Sequence, residues 1–404
     1  MKYLILLSDG MAGWPLKELH DKTTLEAANT PNMNKLAANG EIGLVATTPE
    51  GMEPGSDVTN MGLFGYDPKK YYTGRAPLEA LSMGIELGDN DVAFRCNLVN
   101  LLHYEGRVYM HDYSAGHITT EEGNRLIKDF NKLLNLENIK FFPGISYRNI
   151  MVCYNCPEHI ANTKLYPPHD IIGKEVKNYL PENWGESEIV WLMTQSQTFF
   201  HQHEVNKKRL EQEKLPANSI WLWGQGKKPA IPLFKDKFSI SGGVIAAVDL
   251  IKGIGVAAGL EIKDIEGATG YIDTNYKGKA DGALELLEKH DFIFLHVEAA
   301  DESGHEGNIE NKIKAIEFFD EKIVGYLIDR LASKFGEFKL LITPDHPTPI
   351  EKRTHVADPV PFILYSSKNG FSKKGINFSE KEAEKSKIFY NAAYKLTESL
   401  LKES

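Results

Sequence analysis

Short, nearly unbroken hydrophobic runs alternate with helix-spaced segments toward both ends of the 404-residue chain. KYLILLS at the N-terminus, DFIFLHV before the acidic stretch EAADESGH, and FKLLIT before PDHPTP show no period-two alternation. Such runs predict strands buried on both faces of a parallel sheet. Between them, TPNMNKLAANG predicts a capped helix stopped at Gly40, and EIGLVATTP predicts a second strand. Gly and Pro then cluster in PEGMEPGSD ahead of a helix expected from about Val58. From 226 onward the alternation resumes. An Ala/Gly-rich helix is expected in GGVIAAVDLIKGIGVAAG, a strand near GATGYIDT, a helix in KADGALELLEKH and another over 309–334. The strand PVPFILYSS and a terminal helix complete the series. The fold class this predicts is α/β, a mostly parallel sheet with helices on both faces.

The stretch from about 89 to 225 is patterned differently. Strand-like pieces (VAFRCNLVNLLHY, GRVYMH, SYRNIMVCYN) are separated by polar, proline-rich connections such as YPPHD and LPENWGE, and none ends in an aspartate. The length of the chain favours two domains. The expected division is a catalytic domain from 1–88 and 226–404, with 89–225 as a smaller inserted α+β cap that contacts the site.

Composition changes this picture little: 42% hydrophobic and 25% charged residues suit a soluble globular protein. A net charge of −10 argues against a nucleic-acid partner, which would want a basic face. No run approaches the roughly 18 apolar residues of a membrane span, and MKYLILLSDG lacks a signal-peptide cleavage site, so a cytoplasmic location is expected. Cys96, Cys153 and Cys156 are the only cysteines. The pair in CYNC reads as buried or strand-end thiols and not as a redox or zinc site. No second C-x-x-C or His pair accompanies it, and Pro157 stands where a thioredoxin-like site would start a helix.

Candidate chemistry gathers where the apolar runs stop. The first leads to Asp9, the second to Asp301 and His305 in D-x-x-x-H spacing, and the third to Asp345 and His346, flanked by prolines that stiffen the turn. Ligands of open α/β sheets collect at the carboxyl ends of strands. Three such ends would therefore bring carboxylates and imidazoles to one crevice, a donor set suited to Mn or Zn. Taken singly, Asp301 or His305 also reads as a surface residue or helix cap, and His355 in EKRTHVADP as a solvated loop residue; agreement across several strand ends favours a site. Ser56, in EPGSDVTNM, reads either as a helix N-cap or as a nucleophile. No G-x-S-x-G elbow is present, so on the second reading a metal would activate the hydroxyl and helix N-terminal amides would help neutralise a transferred phosphate.

SDGMAGWP, PGSDVTNMGLFGYDP, YYTGRAPLEALSMGIEL, VAFRCNLVN, ADESGHEG and TPDHPTP together resemble the cofactor-independent phosphoglycerate mutases of the archaeal type, of the alkaline phosphatase superfamily. The resemblance implies interconversion of 3-phosphoglycerate and 2-phosphoglycerate through a phosphorylated Ser56, without 2,3-bisphosphoglycerate. It implies two divalent ions, usually Mn with Zn, Co or Mg as alternatives, one held by Asp9, Ser56, Asp345 and His346 and the other by Asp301, His305 and His355. The expected partner is the small-molecule substrate, with no nucleic acid or membrane; homo-oligomerisation is left open. Candidate glycerate contacts are His117, Arg148, Asn206 and Arg209, with Lys279 as a phosphate contact, because a guanidinium fork matches a planar carboxylate. His169 and Asp170 in PPHD are expected to order their loop. One segment departs from the pattern: in MHDYSAGHI, Ser114 and His117 stand where archaeal members usually carry more arginines. That variant is similar to proteins proposed as homoserine kinases, yet no G-x-x-x-x-G-K-[ST] loop occurs. The rival expectations are a metal-dependent phosphatase or phosphotransferase on another small molecule, and a non-catalytic metal-binding scaffold.

Overall fold

Strands form along most of the apolar runs in the computed structural model, which describes residues 1–182, 185, 187–371 and 376–402. Part of the connection LPENWGE lies outside the described residues. In chain order the strands begin with β1 (Lys2–Ser8), β2 (Glu41–Val45), β3 (Val92–Tyr104), β4 (Arg107–Asp112), β5 (Ile139–Phe142), β6 (Arg148–Cys153) and β7 (Ser219–Lys227). They continue with β8 (Gly242–Ile245), β9 (Glu261–Ile262), β10 (Phe292–Val297), β11 (Phe338–Thr343), β12 (Val360–Ser366) and β13 (Phe389–Tyr390). The chain divides into two compact units, Met1–Tyr72 with Ala230–Ser404, and Thr73–Pro229. The first crossing falls at 72/73 and not near 88, because the helix Arg75–Ser82 packs on β3 and β7. Its Glu79 pairs there with Arg95 of β3 at 2.9 Å.

The larger unit is an eight-stranded sheet in the order β13-β2-β12-β11-β1-β10-β8-β9. β1 lies parallel between β10 and β11. Among the eight strands β12 alone runs against the rest, antiparallel to both β11 and β2. Alternate residues of the central strands serve opposite faces. Leu4, Leu6, Ile293, Leu295, Leu340 and Ile342 pack under the helices Tyr276–Lys289, Ile309–Phe319 and Tyr326–Phe335. On the other face Phe294 stacks on Phe64 at 4.0 Å and Phe292 on Phe234 at 4.5 Å between ring centroids. Burial on both faces is why these strands read as unbroken apolar runs.

Two elements differ from the sequence expectation. GGVI is strand β8, and only Asp249–Ala257 of that segment is helical. Adjacent glycines are poor helix formers, and here they admit close packing: a Cβ on Gly242 would lie 2.7 Å from the Phe292 ring. GATGYIDT is not a strand; it closes on itself through Thr269 N to Thr274 Oγ1 and Thr269 Oγ1 to Asp273. Such local side-chain bonds compete with sheet pairing.

The five-stranded sheet of the smaller unit is antiparallel. β3 is its spine, paired with β4, β6 and β7, and β5 adds to β6. Helices Thr120–Leu134 and Glu188–Gln202 cover it, burying Leu126, Ile127, Phe130, Leu192 and Phe200 against Phe94, Leu98 and Leu222. A Thr119–Glu122 capping box starts the first of these helices. No helix among the described residues is long and apolar enough to cross a membrane.

Candidate active site

The parallel strands deliver their acids to one rim of the larger sheet. Asp9 follows β1 directly, and Asp345 lies two residues beyond β11. Asp301 and His305 occupy one face of the helix Ala299–Glu306, four residues apart, and not a strand-end turn. His305 Nε2 lies 3.1 Å from Asp301 and 3.0 Å from His355 Nε2. His355 Nε2 approaches Asp301 to 3.5 Å, and its ring stacks on His346 at 3.8 Å, so its loop returns to the acids. His346 Nε2 is 3.2 Å from Asp345 and 3.6 Å from Asp9. Two sets of donor atoms result, Asp9–Asp345–His346 and Asp301–His346–His355, each within 4.8 Å. His346 is common to both, whereas the resemblance gave it to the first alone. Gly10 permits the crowding: its φ is +62° and a Cβ there would sit 2.6 Å from the Asp301 backbone.

Ser56 opens the helix Ser56–Leu63, and Gly55, not Ser56, is its N-cap. The Ser56 hydroxyl lies 3.2 Å from His346 Nε2. Residues one turn on share that face: Asn60 Nδ2 and Thr59 Oγ1 donate to Asp345 Oδ2 at 2.9 and 3.4 Å. Thr348 Oγ1 donates to Asp301 Oδ1. Asp345 Oδ1 accepts from the backbone of Gly10 and His346. Behind Asp9, the fully buried His296 places Nε2 2.9 Å from Oδ2. Burial pushes the His296 imidazole down to about 3, and its Nε2 shares a hydrogen bond with the Asp9 carboxyl.

Charge in this crevice is poorly balanced by protein alone. Burial, then Asp345 and Asp301, pushes the Asp9 carboxyl well above its ordinary value. Burial opposes the charge of Asp301, yet His305 and His355 hold it well below the usual carboxylate range. The same pairing outweighs burial at His305 and raises it to about 9. Asp9 Oδ1 and Asn60 Oδ1 are buried and accept no hydrogen bond. An orphaned carboxylate oxygen among further carboxylates and imidazoles is what a divalent cation would complete. The donor set therefore fits metal ions, with oxygen and nitrogen ligands and no thiolate.

The residues expected to grip substrate fare unequally. Asn206 is 2% exposed; its amide donates to Phe200 O and Ala217 O and accepts from Ala217 N. Arg209, equally buried, bonds Leu215 O, Ala115 O and Glu122. Lys279 is sealed beneath β10, donating to His296 O, and burial lowers it to about 8. Asn206 and Arg209 are thus engaged inside their own unit, and Lys279 makes one bond inside its own, to His296 O. His117 and Arg148 are exposed on the smaller unit. The sequence reading passed over Arg75 and Arg95, which together with Arg148 act on the Glu79 carboxylate and, against the opposition of burial, hold it below its ordinary value. Arg95 also lies over the Trp223 ring at 4.4 Å, and His169 packs on Trp223. The signal available was a charge, Arg95, inside the otherwise apolar VAFRCNLV. His296 in FIFLHV carried the same signal.

A family model described as 2,3-bisphosphoglycerate-independent phosphoglycerate mutase matches residues 37–206. A Geobacter sulfurreducens protein named a probable 2,3-bisphosphoglycerate-independent phosphoglycerate mutase is 49% identical over 401 residues, covering 99% of this chain and 100% of the relative. A Methanosarcina barkeri protein named 2,3-bisphosphoglycerate-independent phosphoglycerate mutase is 48% identical, covering 96% of each. Among solved structures, a Pyrococcus horikoshii protein matches with a TM-score of 0.82 at 29% identity, over 100% of this chain and 98% of the other. The cofactor-independent phosphoglycerate mutase of Thermoplasma acidophilum matches with a TM-score of 0.65 at 26% identity, over 99% of each chain.

Proposed function

Because the chain belongs to the 2,3-bisphosphoglycerate-independent phosphoglycerate mutase family, we propose that it interconverts 3-phosphoglycerate and 2-phosphoglycerate through a phosphoryl group carried on Ser56. The observation that carries this reading is the Ser56 hydroxyl set 3.2 Å from His346 in a cluster of buried carboxylates and imidazoles. In the forward half-reaction, Ser56 Oγ bonds phosphorus as the bond from phosphorus to the substrate's C3 oxygen breaks. The proton lost from Ser56 is balanced by one gained on the departing oxygen. In the second half-reaction the C2 hydroxyl of the retained glycerate takes the phosphoryl group and Ser56 is restored.

Asp9, Ser56, Asp345 and His346 would hold one divalent ion, and Asp301, His305 and His355 the other, with His346 placed to contribute to either. Bound there, the ions, which we take to be Mn, neutralise phosphate oxygens and lower the proton affinity of the serine hydroxyl. Asn60, Thr59 and the Gly10 amide fix Asp345, and His296 fixes Asp9, so the ligands are held before substrate arrives. For the glycerate carboxylate we propose the exposed Arg148, with Arg75 and Arg95 beside it and His117 on the same unit, a guanidinium fork being suited to two oxygens.

The test is an enolase-coupled assay with Mn and without 2,3-bisphosphoglycerate, on the wild type and Ser56→Ala. Formation of 2-phosphoglycerate by the wild type alone supports the proposal. Release of free phosphate in place of 2-phosphoglycerate would make the protein a phosphatase.

A further inference from the structure

We propose that Cys153 and Cys156 form a reversible intrachain disulfide, making this turn of the smaller unit a thiol modification site. Cys153 ends β6 and Cys156 follows a turn whose central residues are Tyr154 and Asn155. Asn155 takes the left-handed conformation, φ +45°, that asparagine tolerates in turns. Three backbone donors fasten the turn to three other segments. Tyr154 N donates to Asn138 O at 2.8 Å, Asn155 N to Asp91 Oδ1 at 2.9 Å, and Cys156 N to Asn90 O at 2.9 Å.

The ends of a two-residue turn lie within about 7 Å of each other, and a disulfide spans Cα separations of roughly 4.4–6.8 Å. A turn of this kind therefore brings the two Cα atoms to about the separation the bond needs. Cys156 lowers the Cys153 thiol below its ordinary value, against the opposition of burial. Cys96 is excluded as a partner. Val92 lies opposite Cys153, and Cys96 is four residues further along β3, about 13 Å away at the strand rise.

The reaction is thiol–disulfide exchange. One cysteine thiolate attacks a sulfur of a low-molecular-weight disulfide, releasing one thiol, and the second cysteine displaces the other. Two protein thiols are oxidised, one external disulfide is reduced to two thiols, and the protons pass to the departing sulfurs.

The experiment equilibrates the full chain with oxidised glutathione, then denatures it, labels it with a maleimide and maps its peptides. One labelled thiol per chain, at Cys96, with a mass lower by two hydrogens in a peptide joining Cys153 to Cys156, is the expected result. Reduction should restore all three labels. In Cys153→Ser and Cys156→Ser the loss of two hydrogens within one chain should disappear. Three labelled thiols in the oxidised wild type, or a bridge between chains or through Cys96, overturns the proposal.

Discussion

Two sets of buried polar side chains, one in each unit, are treated in opposite ways. In the smaller unit Asn206 and Arg209 are 2% exposed, and their side chains bond to backbone carbonyls, a backbone amide and Glu122. At the rim of the larger sheet Asp9, Asp345 and His346 are at least as buried, yet Asp9 Oδ1 accepts no hydrogen bond and like charges crowd together. A buried polar group without a partner costs about 1–3 kcal/mol, and a charged one more. The first set lowers the energy of the fold by itself. The second is an arrangement the protein tolerates for what it binds. Burial and charge do not tell these two sets apart; satisfaction does.

That contrast can be broken. The largest expected effect is from Ser56→Ala, which should lower kcat in the enolase-coupled assay roughly 10⁴-fold or more, by analogy with other covalent nucleophiles. Its melting temperature should stay near that of the wild type, because Gly55 and not Ser56 is the cap of this helix. Turnover retained by this variant removes the covalent mechanism.

Next comes Arg209→Met. It strands Ala115 O, Leu215 O and the partly exposed Glu122, so stability in urea should fall by about 3 kcal/mol. Because Arg209 is satisfied within its own unit, kcat and KM of the folded fraction should be unchanged. A large loss of kcat with an unchanged urea midpoint would return Arg209 to the substrate site.

A smaller change is expected from His296→Phe, which deletes the hydrogen-bond partner of Asp9. Removing such a support typically costs about 10–100-fold in metal affinity, to be read by calorimetric titration with Mn. Unaltered affinity would mean that Asp9 needs no orienting partner. The mildest prediction concerns Arg148→Ala, expected to raise KM for phosphoglycerate about tenfold through loss of a carboxylate contact worth ~1.4 kcal/mol, with little change in kcat. An unchanged KM would leave Arg148 as a surface charge.

The strand ends were legible because their signal is local. A run buried on both faces must be apolar, so the acid that ends it stands out, as at Asp9 and Asp345. Other features left no such mark. GGVI lacked strand length and merged with the helix after it, and GATGYIDT carried strand-like residues whose threonines bond locally instead. Asn206 and Arg209 were attractive by residue type alone, since donors already engaged look the same in a sequence as donors still free. The basic group around Glu79 draws on Arg75, Arg95 and Arg148, far apart in the chain, so no spacing announced it.

Residue order alone dictated the alternation of strand and helix, the identity of the acids and imidazoles at the sheet rim, and the presence of a differently patterned insertion. Those follow from short-range requirements, periodicity and burial, that each segment must meet by itself. Which helix face carries Asp301 and His305, that His346 stands between two donor sets, and which buried polar groups are satisfied were decided only when distant segments packed. Hydrogen-bond completion is a property of three-dimensional neighbours, and a linear pattern does not contain it.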